Sequence, residues 1–198
     1  MNKILPDKFC KNKIFIISGP SGVGKGTVVN GLLNNPHLNL RWAKSYTTRT
    51  ERPSDKNEGH YIFIDENKFK ILEKESEILE SNFYDNKWYG SSKSEIDKAL
   101  ATGHNVIKEV EINGAMKYKN IYPEGILIFI KSDINDIEQR LIERGQNTPE
   151  QIEERLNTAQ VELKCEKDYN YSVVNPEGHP ELAIKEVENI IENELKKN

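Results

Sequence analysis

Apolar residues fall along this chain in two rhythms. Unbroken runs occupy residues 14–17 (Ile-Phe-Ile-Ile) and 126–130 (Ile-Leu-Ile-Phe-Ile), and shorter strand-like segments begin at Asn105 and Tyr171. Runs without polar alternation predict strands covered on both faces. Elsewhere apolar side chains recur at three- and four-residue spacing: Val28, Val29, Leu32 and Leu33; Ile134, Ile137 and Leu141; Leu182, Val187, Ile190, Ile191 and Leu195. Those stripes predict helices with one buried face. The punctuation agrees. Asn34-Asn35-Pro36 stops the first helix, Asp133 caps the second, and Thr148-Pro149-Glu150-Gln151 opens another with a capping threonine and a first-turn proline. Phe69, Leu72, Ile78 and Leu79 predict one more helix, and residues 96–101 a further one.

Strands alternating with helices predict an α/β fold, an open parallel sheet flanked by helices. A polar, basic stretch from about residue 42 to 92 interrupts the alternation. It contains the β-rich Tyr61-Ile62-Phe63-Ile64 and reads as an inserted subdomain.

Composition narrows the class. Across 198 residues, 36% are hydrophobic and 30% charged, which suits one globular unit with a solvated surface. A net charge of −4 supplies no broad positive field for a polyanion, so no nucleic-acid partner is expected. Cys10 and Cys165 lack the spacing of a disulfide framework or a zinc site. No apolar stretch reaches the ~18 residues of a membrane span, and residues 1–8 lack a signal-peptide core. The expectation is a cytoplasmic protein without a membrane partner. Lys3, Lys8, Lys11 and Lys13 are read as solvated charge.

The candidate chemistry begins after the first strand. Gly19, Pro20, Ser21, Gly22, Val23, Gly24, Lys25, Gly26 and Thr27 join that strand to the first helix. In this context a glycine-rich loop points successive N–H groups inward around phosphate oxygens, helped by the positive end of the helix. Lys25 would reach the terminal phosphates as a point charge. The strict pattern has Ser or Thr directly after the lysine. Here Gly26 stands there and Thr27 follows.

A second informative string is Ser45-Tyr46-Thr47-Thr48-Arg49-Thr50-Glu51-Arg52. Arg49 and Arg52, three positions apart, can present planar forks to one phosphate monoester. Farther on, Glu109-Val110-Glu111 ends the second core strand, where open α/β sheets put ligand groups.

These strings resemble the guanylate kinase family, in order, over nearly the whole chain: Gly19 to Thr27, Ser45 to Arg52, Tyr61, Glu80, Tyr89-Gly90-Ser91, Glu109 to Gly114, Arg140 to Gly145, and Arg155. The resemblance implies a P-loop nucleoside monophosphate kinase fold. It divides into a core (1–41, 93–143 and 160–198), a GMP-binding insertion (42–92) and a lid (144–159). It implies transfer of the γ-phosphoryl group of ATP to GMP, within purine nucleotide metabolism, with Mg2+ accompanying ATP. Arg49, Arg52, Tyr61 and Tyr89 match residues that hold the GMP phosphate. Ser45, Glu80 and Ser91 match residues that line guanine, and Glu111 joins that set. Lys25, Arg49, Arg144 and Arg155 match catalytic cations, Arg144 and Asn175 join the loop at ATP, and Thr27 and Glu109 match groups near the metal, directly or through water. Family members usually carry Asp where Glu109 and Glu111 stand.

The chemistry of guanine fits an acid at Glu80. Guanine offers two adjacent donors, N1–H and the 2-amino group, whereas adenine presents an acceptor at N1 that a carboxylate would repel. The partners expected are ATP and GMP, with dGMP as a further acceptor, acting on a monomer or a dimer. The rival readings are another nucleoside monophosphate kinase, favoured by Gly26-Thr27, and a non-catalytic guanylate-kinase-like binding module. The intact loop and Lys25 argue against the module.

Overall fold

The computed structural model describes residues 12–53, 55, 59–145 and 147–197. Cys10, the basic residues up to Lys11, and Gln146 lie outside the described residues.

The core sheet has five parallel strands in the order β2-β7-β1-β8-β9. They are β1 (Ile14–Ser18), β2 (Leu40–Trp42), β7 (Asn105–Glu109), β8 (Ile126–Lys131) and β9 (Tyr171–Val174). Period-two alternation sends neighbouring side chains to opposite faces. Phe15, Ile17, Ile107, Ile128 and Ile130 therefore pack one way, against Val28, Val29 and Leu32 of helix α1 (Lys25–Leu33), Ile137 and Leu141 of α5 (Ile134–Glu143), and Val187 and Ile191 of α7 (Pro180–Lys196). Ile14, Ile16, Val106 and Leu127 pack the other way, against Ile96 and Ala99 of α3 (Lys93–Ala101) and Ala115 and Tyr118 of α4 (Ile112–Ile121). Both faces are covered, which is why these strands are apolar at nearly every position.

The interrupting segment builds a second sheet, β4-β3-β6-β5, from β3 (Ser45–Thr47), β4 (Tyr61–Phe63), β5 (Ile78–Tyr84) and β6 (Lys87–Ser92). Helix α2 (Glu66–Lys74), capped by the Asp65 side chain on the Lys68 N–H, closes it with Phe69 and Leu72.

One expectation changes here. Ile78 and Leu79 are not helical: the chain leaves α2 at Lys74, turns through Ser76 at φ 59°, and enters β5. Antiparallel pairing with β6, closed by Asp85 and Asn86 at positive φ, outweighs the local helical spacing. Helix α4, β2, β3 and the β5–β6 hairpin add elements that the apolar pattern left unread. Helix α6 (Pro149–Glu162) begins with the expected box, the Thr148 side chain accepting from Gln151 N–H and the Gln151 side chain from Thr148 N–H.

Candidate functional site

Residues 19–24 leave β1 and enter α1 in a tight turn over the edge of β8. Gly19 has φ 145°, and a Cβ there would overlap the Ile130 carbonyl oxygen; Gly24 has φ 87°, and a Cβ there would overlap the Asn175 amide nitrogen. At those two places only glycine lets the loop lie so close to its supports. Lys25 Nζ donates to the Gly19 carbonyl at 2.8 Å and the Pro20 carbonyl at 3.0 Å. Burial pushes the Lys25 ammonium below its ordinary pKa, opposed by the carboxylates of Glu109, Glu162 and Glu111, while Arg144 pushes it further down. Burial likewise raises Glu109, opposed by the positive charges of Lys25, Lys108 and Arg144.

The second sheet supplies a different set. In register, Ser45 stands between Tyr61 on β4 and Ser91 on β6, so one rung of three strands carries three of the expected residues. Ser91 Oγ donates to Glu80 Oε1 at 2.6 Å, and this bond fixes the carboxylate and leaves Oε2 for a partner. Tyr61 and Tyr89 meet edge to face with centroids 6.1 Å apart.

A cleft of about 1260 Å³ joins the two sets. Its walls include Gly19, Ser21, Lys25 and Gly26 on the loop side and Ser45, Tyr61, Glu80 and Tyr89 on the other, with Glu109 and Glu111 between them and Arg155 from α6 above. A loop able to cage phosphate thus faces a carboxylate-and-hydroxyl pocket across one opening. A family model described as guanylate kinase matches residues 11–194. A guanylate kinase of Clostridium perfringens is 38% identical over 192 residues, 96% of this chain and 87% of that protein. One from Streptococcus agalactiae is 36% identical over 182 residues, 91% and 86% of the two chains. The crystal structure of guanylate kinase from Anaplasma phagocytophilum shares the fold, with a TM-score of 0.73 at 24% identity over 96% of this chain and 89% of that one.

The chain belongs to the guanylate kinase family.

Of the other expected guanylate kinase residues, Arg49, Arg52, Arg144 and Asn175 stand apart from the cleft wall, and Arg155 is part of it. Arg49 is held by Asp55 through two parallel bonds, Nη1 to Oδ2 at 2.8 Å and Nη2 to Oδ1 at 2.9 Å, and its guanidinium lies over the rings of Tyr61 and Phe63 at 5.2 and 5.4 Å. Arg52 is exposed, its backbone N–H donating to Asp55 Oδ2. Arg144 is exposed on the last turn of α5. Arg155 reaches Ser21 Oγ at 3.4 Å and Tyr84 Oη at 3.3 Å, joining α6 to both sides of the cleft. Asn175 is 2% exposed and sits beneath the loop, its Nδ2 donating to the Val23 carbonyl at 2.7 Å while its Oδ1 is buried without a partner. Arg140 supports the same place, donating to Val23 O, Ser132 Oγ and Asn175 O and pairing with Glu177. Pro20, Gly22 and Val23 are buried in the loop's underside, and Thr27 is exposed on α1 outside the cleft lining.

Three residues near the cleft escaped the sequence reading. Asp55 belongs to a polar stretch of sequence with no distinguishing pattern. Asn82 Nδ2 donates to Glu111 Oε2 at 2.7 Å and so fixes that acid. Lys108 is fully buried, and here a signal existed: a lysine inside an otherwise apolar core strand.

A Mg2+ ion fits this site only in company with a polyphosphate. Among the described residues no group of three His, Cys, Asp or Glu side chains could cage a metal. Glu109 Oε2 lies 3.6 Å from the Cβ position of Gly26, beside the first turn of α1 where loop-bound phosphates would end. One carboxylate plus phosphate oxygens and water is a donor set that hard Mg2+ accepts.

Proposed function

We propose that this protein catalyses MgATP + GMP → ADP + GDP, with the loop at residues 19–27 taking the ATP phosphates and the second sheet taking GMP. The observation that supports this most directly is the single cleft lined by both the phosphate loop and the pair Ser45 and Glu80, with Glu80 held from behind by buried Ser91. Both substrates are anions, so the protein must offset their repulsion and hold attacking oxygen, phosphorus and leaving oxygen in line. Little covalent chemistry is required of it; positioning and charge stabilisation carry the rate.

The residues divide that work. Main-chain amides of residues 19–26 and the Lys25 ammonium bind the donor's phosphates. Glu80, steadied by Ser91, accepts from guanine N1–H and the 2-amino group, and Ser45 faces the same ring. Arg49, Arg52, Tyr61 and Tyr89 bind the acceptor phosphate, which requires the Arg49 fork to exchange Asp55 for phosphate. Residues 42–92 form the acceptor subdomain. Residues 144–159 form a lid whose Arg144 and Arg155 approach the transferring group and exclude competing water. Asn175 supports the loop at the ATP end. Mg2+ supplies charge neutralisation on the transferring phosphates; Glu109 would hold it through water, and Thr27 contributes at most through water. The GMP phosphate is already a nucleophile near neutral pH, so no general base is assigned.

A coupled ADP-release assay with GMP, dGMP, AMP and dTMP as acceptors tests the proposal. Turnover with GMP far above AMP and dTMP is expected. Equal or greater turnover with AMP would assign another monophosphate kinase, and no turnover with any acceptor would assign a binding module.

A further inference from the structure

Lys108 is 1% exposed, on a strand paired on both sides, and adjacent to Glu109, which lines the cleft. Its neighbour Glu109 points toward the phosphate loop, so alternation sends Lys108 to the opposite face, toward the acceptor subdomain. There Nζ donates to the Ala43 carbonyl at 2.7 Å and to Ser45 Oγ at 2.6 Å, and lies 5.3 Å from the centre of the Trp42 ring. An ammonium has three N–H donors. Two carry hydrogen bonds and an aromatic face stands beside the group, so the cation is well accommodated despite its burial. Burial still pushes it down to about 8, offset by the carboxylates of Glu80 and Glu109.

Two consequences meet at this one group. Residues 43 and 44 are the link between β2 of the core sheet and β3 of the acceptor sheet, and Lys108 grips that link by the Ala43 carbonyl. A second consequence concerns the Ser45 hydroxyl. Its oxygen already accepts from a cation, so its own hydrogen must turn elsewhere, and Ser45 lines the cleft. A hydroxyl held in that sense is a donor to its ligand, strengthened by the charge behind it.

We propose that Lys108 is a positioning residue for acceptor recognition: through its bond to Ser45 Oγ it makes that hydroxyl a donor toward a purine carrying an exocyclic oxygen, and through Ala43 it holds the acceptor sheet in register with the core. The bond discriminates in one direction. The 6-oxo group of guanine accepts from such a hydroxyl, whereas the 6-amino group of adenine presents hydrogens to it. Glu80 reads the other side of the ring, so the two residues select on different atoms. This inference rests on the cleft being the GMP site.

The test is steady-state kinetics of Lys108→Met, which keeps the length and removes the donors. The KM for GMP is expected to rise about 10-fold, the loss of one charge-assisted hydrogen bond, with the KM for ATP within two-fold of the parent and the GMP-over-AMP preference reduced. Ser45→Ala should give a similar change, and the double variant should be little worse than either single one, because the two side chains act as a pair. Thermal melting is the control for a merely structural role. Lys108→Met relieves a buried charge but leaves the Ala43 carbonyl without its donor, two opposed effects, so the melting temperature should stay within a few degrees of the parent's while GMP binding weakens. A rise in the GMP KM below five-fold, or an equal rise in the KM for ATP, overturns the proposal. If Lys108→Met does not fold, Lys108→Leu, which likewise removes the donors, is read by the same two criteria. Failure of the parent to phosphorylate GMP would overturn the functional reading itself; a parent that turns over GMP beside an unchanged variant would overturn this inference alone.

Discussion

Arg49 and Asp55 are joined as a planar pair, the guanidinium fork matched to both carboxylate oxygens at 2.8 and 2.9 Å. The Arg49 bond, and after it the Arg52 backbone N–H, hold Asp55 well below the usual carboxylate range, at about 2. A depressed carboxylate contributes stability above its unfolded value of about 3.8 and loses it as pH falls through about 2. Asp55→Asn removes that contribution. Its melting temperature should therefore fall less than the parent's between pH 4 and pH 2, which scanning fluorimetry across that range measures; parallel curves would show that the pair adds nothing to the folded state.

Lys25 is bonded to the loop's own Gly19 and Pro20 carbonyls, ready to exchange them for phosphate oxygens. Lys25→Ala should lower kcat by at least ~10²-fold, the scale seen when one preorganised donor is removed. Near-parent turnover would count against the loop as the ATP site.

For Glu80, steadied by Ser91 at 2.6 Å, the expected loss is selectivity. Glu80→Ala should reduce the ratio of kcat/KM for GMP over AMP by about 10²-fold, because the carboxylate's buried hydrogen bonds are what reject the wrong base. Competition between the two acceptors reads this directly. An unchanged ratio would remove Glu80 from the guanine contact.

Arg140 and Arg144 are one helical turn apart and should behave oppositely. Arg140 ties α5 to the loop carbonyl of Val23 and to Asn175. Arg140→Ala should cost about 1–2 kcal/mol of stability, since it unpairs the Glu177 carboxylate and removes one of two donors from each of those carbonyls, which keep Asn175 Nδ2 and Ser132 Oγ. Arg144 is exposed. Arg144→Ala should leave the melting temperature within a degree or so and lower kcat more than it weakens GMP binding. The reverse pattern would exchange their roles.

Gly26 and Gly24 also part company. A Cβ on Gly26 would meet Glu109 Oε2 at an ordinary 3.6 Å, whereas at Gly24 it would strike the Asn175 amide. Gly26→Ser should be tolerated and stabilise α1 by about 0.5 kcal/mol, and Gly24→Ala should lower both stability and ATP binding. Denaturant melts of the two variants, with ATP affinity measured alongside, decide this; equal losses would mean that room at residue 26 is not available.

The core of the fold was legible because its signals are local. Ile14 to Ile17 and Ile126 to Ile130 are apolar at every position, and a strand buried on both faces has no other way to read. Glycines followed by Lys25 between such a strand and an amphipathic helix carry their chemistry in the order of residues alone. Ile78 and Leu79 were not legible in the same way, since their spacing from Phe69 and Leu72 suits a helix equally well, and only pairing with residues 87–92 makes them a strand.

What the order of amino acids determined by itself was the alternation of strands and helices, the turn that can cage phosphate, and the residue types gathered for a purine monophosphate, because each depends on neighbours within a few positions. Tertiary structure alone decided that Arg140 braces the loop while Arg144 stays exposed, and that Lys108 lies buried against Ser45. Those outcomes depend on which distant segments the strand register brings within 3 Å, and no local pattern encodes that distance.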